Sequence, residues 1–286
     1  MSGAVVVAGY ALRESVRRRV FVVVLLLTTL FVGLFAFATA KVFEHTGDFT
    51  IGRNIGTLDA TGLIASTMLG LGMFAILFLA TVLAVFLTLG AVRGDAERGL
   101  LQPLVVRPLG RTSMLLGRFA AAASVCAVYV ALVYAATLLI VHQASGRWPD
   151  AVAGPGLALI GGSAVIVALA LLGSVLLSAT ANGIVTFMLF GAGLVAGLMQ
   201  SIAGGIGSHS LGQIAHAIAI ALPFEALYQA GLHALTADRT GFTGALIQLG
   251  PFGSSHAGGP LLDLWAAAYV VLALAVAAWG FARRDL

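Results

Sequence analysis

Long apolar runs separated by short polar islands dominate the chain. Six of them (Val20–Ala40, Gly62–Val92, Met114–Val141, Gly156–Ala179, Gly183–Ala203 and Leu262–Phe281) supply the roughly 20 apolar residues that a helix needs to cross a bilayer core. None shows the alternation over about ten residues that a lipid-facing barrel strand requires. Each therefore predicts a helix, which satisfies its own backbone hydrogen bonds in a medium without water. The second and third runs exceed the minimum and are expected to tilt or to project beyond the hydrocarbon.

The polar islands predict the remaining architecture. In residues 5–19, Val5, Gly9, Leu12 and Val16 fall on one side, while Arg13, Arg17 and the Glu14/Arg18 pair face away. That pattern predicts an amphipathic helix lying in the headgroup layer before the first span. Its arginines, the apolar run that follows and Ala38-Thr39-Ala40 resemble a secretory signal, but the run is too long and five more spans follow, so cleavage is not expected. Residues 204–261 form a long loop that turns apolar again. Leu211–Leu222 and Pro223–Leu235 are each too short to cross and predict two short helices that dip into the outer leaflet and return. Pro223 suits a first helical turn, and Glu225 just after it complements the helix dipole. The expected fold is thus an all-α polytopic membrane protein, with residues 1–286 forming one transmembrane domain.

Composition supports that reading. The chain is 60% hydrophobic and only 9% charged, against about 25% charged in soluble domains. Its net charge of +4 belongs to topology, not to nucleic-acid binding. With the N-terminus inside, eleven arginines (13, 17, 18, 19, 93, 98, 107, 111, 118, 283 and 284) fall on the cytoplasmic side. Lys41, Arg53, Arg147 and Arg239 fall outside. That bias places both termini in the cytoplasm, and arginines 17–19 can meet acidic lipid headgroups. The lone Cys126 lies in an apolar run, which excludes an internal disulfide framework and a multi-cysteine metal site.

Several chemistries lack their residues. A P-loop needs a lysine after a Gly-rich turn, and the only lysine, Lys41, follows Ala-Thr-Ala. No ionisable residue sits near the centre of a predicted span, so the coupling groups of an ion-driven secondary transporter are missing. No HExxH or GxSxG motif occurs. All six histidines (His45, His142, His209, His216, His233 and His256) fall on the predicted outer side, with spacings that match no ligand motif, so no metal site is assigned. Nor is any catalytic or cofactor-binding residue. The fifth span carries Gly191 and a small-residue stripe, Gly193-xxx-Gly197-xxx-Ser201. Such a stripe lets another helix approach closely, either within one subunit or at a dimer seam or pathway-lining face.

The densest island, RGDAERGLLQPLVVRPLGR at residues 93–111, holds Leu100, Leu101, Leu104, Val105 and Val106, restricted by Pro103 and Pro108 and flanked by Arg107 and Arg111. An apolar patch with a charged rim at the cytoplasmic face suits docking to a soluble partner. Glu97, Gly99, Leu104, Pro108, Arg111, Leu115, Leu116 and Gly117 resemble the pattern that follows the second span in permease subunits of type-2 ABC exporters. The chain departs at Leu100, where Thr is common, at Gly110 for Ser and at Arg118 for Lys. The ending Phe281-Ala282-Arg283-Arg284-Asp285-Leu286 and the order of spans resemble that family as well.

The resemblance implies a coupling helix within residues 93–113, with Asp95, Glu97, Arg98, Gly99, Leu100, Leu101, Leu104, Arg107, Pro108 and Arg111 as ATPase contacts. It further implies two permeases, identical or homologous, with two ATP-binding cassette ATPases that carry ATP and Mg. Substrate would pass outward between the permeases, in a bacterial plasma membrane. The uncharged spans favour a hydrophobic or amphipathic substrate. Two other readings stand beside this one: a membrane scaffold that recruits a cytoplasmic partner without transport, and the less favoured secondary transporter.

Overall fold

Where long apolar stretches meet no water, backbone N–H and C=O groups must pair within the segment, and helices result. The computed structural model describes residues 19–44, 60–88, 111–149, 151–206, 209–236 and 258–283, and these contain helices and no strand. In chain order they are α1 (Arg19–Glu44), α2 (Ala60–Thr88), α3 (Arg111–Ser145), α4 (Ala153–Leu176), α5 (Ala179–Ile206), α6 (His209–Ala221), α7 (Pro223–Thr236) and α8 (Pro260–Ala282). Six of these, all but α6 and α7, are long and apolar enough to cross a membrane. They coincide with the six runs predicted above.

Ends shift by a few residues, and at one boundary the chain breaks where the run predicted continuation. The fourth run was expected to extend to Ala179, but α4 ends at Leu176 and Ala179 already begins α5. Leu177 is extended, which breaks the helical path. Ser178 then accepts the Asn182 N–H at 2.8 Å through its carbonyl, the geometry of a residue that opens a helix, where serine is favoured. At the other end of the bundle α3 stops at Gly146, whose φ of 68° is the left-handed cap that glycine supplies without strain. Its N–H donates to the His142 carbonyl at 2.8 Å.

Helix α4 is the hub, packed against α2, α3, α5, α7 and α8. Ile76, Leu77, Leu83, Cys126, Val130, Leu159, Ile166 and Phe224 join one buried cluster across α2, α3, α4 and α7. Helix α1 lies at the rim on α2 and α3 and leaves Val22, Leu26, Leu30 and Phe37 exposed. On α8, Leu261, Leu264, Val271 and Trp279 are likewise exposed. Apolar side chains presented this way require hydrocarbon, not water, as their solvent. The chain is a multi-pass membrane protein.

Most buried hydroxyls are satisfied locally, Thr39 Oγ1 being the exception among the described residues. Ser66, Thr81, Thr88 and Thr186 each donate to the carbonyl four residues back, which removes their cost in an apolar interior. Polar ties between elements include Thr28 with the Tyr129 hydroxyl at 2.7 Å, Tyr134 to the Val152 carbonyl at 3.0 Å, and Asn182 to the Ala170 carbonyl at 2.9 Å.

Candidate functional site

Helices α6 and α7 meet at a break and are bent by 107°. Pro223, the first residue of α7, has no N–H to continue the α6 ladder, and its fixed φ suits a helix start. A deflection past a right angle turns α7 partly back along the direction from which α6 came. Two further bonds hold the corner. The Glu225 N–H donates to the Leu222 carbonyl at 3.1 Å. The Trp265 indole N–H of α8 donates at 3.0 Å to the Ile220 carbonyl at the end of α6, a group left without a partner in its own helix by the break.

The corner lowers α7 onto α4 and α5, and here the small-residue stripe finds its neighbour. A Cβ at Gly193 would lie 2.6 Å from the Phe224 ring, and one at Gly197 would fall on the Glu225 carboxyl, with the Gln229 amide 2.7 Å away. On the α4 side, a Cβ at Gly162 would come within 3.3 Å of the Phe224 carbonyl. Phe224 stacks on Phe190 at 6.0 Å between ring centroids, and Phe190 meets Phe78 at 6.0 Å. Gly193 and Gly197 are thus occupied by close packing inside one chain. Gly191 has nothing within 4 Å of its would-be Cβ. Ser201 lies in α5, but its side chain is outside the described residues.

Glu225 is the unusual member of this seam. It sits in the first turn of α7, as the dipole argument expects, yet its side chain is only 2% exposed. The Gln229 amide donates to Oε1 at 3.0 Å, whereas Oε2 is buried without a hydrogen-bond partner. Its reading from sequence as a dipole-complementing charge missed its burial, because α7 is not a span. The available signal was a carboxyl and an amide at i,i+4 in an otherwise apolar short helix following a proline. Asn182 was overlooked too, lying just ahead of the fifth predicted span. Its side chain fills the space beside Gly173 and ties α5 to α4.

The expected docking residues Asp95, Glu97, Arg98, Gly99, Leu100, Leu101, Leu104, Arg107 and Pro108 lie outside the described residues, as does the expected amphipathic segment up to residue 18. Arg111 is the first residue of α3, so the end of the 93–113 segment is continuous with the third span. Helices α2, α4 and α5 carry no ionisable residue other than those of Tyr or Cys type, of which they also have none. Among the described residues, no three of His, Cys, Asp or Glu come together as a metal site. His142 instead stacks on Trp148 at 4.2 Å.

No curated protein matched the chain. Among protein families, the model described as ABC-2 family transporter protein matches residues 5–286. That match covers nearly the whole chain and agrees with the six apolar spans, so the chain belongs to the ABC-2 transporter family as a transmembrane permease subunit.

Proposed function

We propose that the chain works with a separate cytoplasmic ATP-binding cassette ATPase to export a hydrophobic or amphipathic substrate. The observation that carries this reading is a family match over residues 5–286 in a chain whose only lysine, Lys41, has no P-loop around it. Energy must then enter from another protein, and ATP and Mg belong to that partner. The port for it is the 93–111 segment: Glu97 and the Leu100–Leu104 patch seat in the ATPase, and Arg107 and Arg111 flank them. Because α3 begins at Arg111, a displacement of the docked segment passes directly into a membrane helix. Two permeases, identical or homologous, face one another with the path between them. Absence of charge from α2, α4 and α5 supports an apolar route. The arginine bias supports cytoplasmic termini in a bacterial plasma membrane, with α6 and α7 re-entering from the outer side.

The test is co-expression of the full chain with the ATPase encoded beside it. The two should co-purify, and Leu100→Asp with Leu104→Asp should weaken the association by about ten-fold or more, as loss of a buried apolar anchor does. Glu97→Ala should lower coupled ATP hydrolysis while both proteins remain folded. A chain that binds no ATPase but retains another soluble protein would point to a scaffold instead.

A further inference from the structure

A cleft of about 840 Å³ opens between α4, α7 and α8, and no α5 residue lines it. That volume lies within the roughly 300–1,000 Å³ of small-molecule sites. Small residues make up much of its walls: Gly161 and Ala164 on α4, Ala230 and Ala234 on α7, Ala266 and Ala267 on α8. It runs along α4 from Gly154 to Val165 and, beside it, from Gly259 at the cap of α8 to Val270, eleven steps along the chain in each case. Eleven helical residues rise about 16 Å, close to half of a hydrocarbon core of roughly 30 Å. The cleft therefore has the depth of one leaflet. Leu157 on its wall is exposed, as are Leu261 and Leu264 beside Pro260 and Asp263 on α8, so among the described residues its mouth faces hydrocarbon.

Its two ends differ chemically. Val165 and Val270 close the deep end, whereas the exposed Asp263 of α8 and the His233 imidazole of α7 line the end nearest the N-termini of α4 and α8, Asp263 being the carboxylate there. Trp265, two residues further along α8, is of the kind that gathers at the headgroup level. An apolar slot of one-leaflet depth with an anionic group at its polar end is complementary to an amphiphile with a cationic head.

We propose that this cleft holds an acyl chain of a resident phospholipid from the leaflet surrounding the N-termini of α4 and α8, and that Asp263 favours a primary-amine headgroup. The lipid would wedge between α8 and the α4–α7 pair and fill space that alanines and glycines leave open. The site does not depend on the export reading, because a chain that exports nothing would still retain the lipid.

The full chain would be reconstituted in nanodiscs of equal phosphatidylethanolamine, phosphatidylcholine and phosphatidylglycerol, re-extracted in mild detergent, and its retained lipid quantified by mass spectrometry. Phosphatidylethanolamine should be enriched. Asp263→Asn should reduce that enrichment about two- to five-fold, the range of an exposed ion pair. Ala164→Leu with Ala267→Leu should lower total retained lipid roughly ten-fold by filling the slot. Melting temperature reports whether each variant is folded, and Ala267→Leu alone, at an exposed position, serves if the double variant is not. Folded filled variants that keep their lipid would overturn the site. Enrichment of phosphatidylglycerol, or a preference untouched by Asp263→Asn, would overturn the headgroup assignment. Two other occupants would each overturn it as well. A second copy would show as loss of a dimer on filling with lipid unchanged. The chain's own 237–257 segment would show as a disulfide between Ala164→Cys and Phe252→Cys in lipid-free protein.

Discussion

Gly193 and Gly191 lie two residues apart on α5 and have opposite surroundings. Beyond Gly193 stands the Phe224 ring, 1% exposed and stacked on Phe190, so it cannot swing aside for a new methyl group. Gly193→Ala should therefore cost about 1–3 kcal/mol, the usual penalty of overpacking. Gly191→Ala meets nothing within 4 Å and should gain up to about 1 kcal/mol from helix propensity. Thermal unfolding of the two variants in one detergent reads the difference, and equal effects would remove the α5–α7 seam as the reason for the glycines. If Gly191 instead faces a second permease, Gly191→Trp should leave melting unchanged while reducing the dimer fraction, which mass photometry in nanodiscs measures. Glu225 shows what such a seam tolerates: a carboxyl held on one oxygen by Gln229 and buried on the other. The close approach permitted by Gly197 is what brings that carboxyl against α5.

At the scale of elements, α4 and α5 are joined by only Leu177 and Ser178, and Asn182 fastens the corner. Asn182→Ala should cost about 0.5–2 kcal/mol, as measured for hydrogen bonds between membrane helices, and should loosen the α4–α5 angle in spin-label distance measurements. The six spans were legible because lipid demands about 20 apolar residues in a row, a signal that no tertiary contact has to supply. The two short helices were legible for the opposite reason: Leu211–Leu222 and Pro223–Leu235 are too apolar for a loop and too short to cross. The break after Leu176 was not, because Leu177, Ser178 and Ala179 are as apolar or as small as their neighbours. Nor was the partner of the glycine stripe. A small residue announces that something comes close, and only the folded chain places Phe224 and Glu225 there.

Taken as a whole, the molecule separates its tasks by region. A charge-poor bundle centred on α4 spans the membrane, and the 93–111 segment is where we propose that power enters from the cytoplasm. The proposed arrangement of two permeases predicts a mass of twice the chain, or of a heterodimer, in the absence of ATPase; a monomer under all lipid conditions would sink it. Within the bundle, Cys126 has no exposed surface and belongs to the cluster that binds α2, α3, α4 and α7 together. It is also the only thiol the protein possesses. A membrane-permeant, thiol-selective reagent added to the intact chain therefore has no accessible thiol to react with until that centre parts. The rate at which Cys126 is modified becomes a clock for the opening of the core, carried by the wild-type sequence and readable during transport without a single substitution.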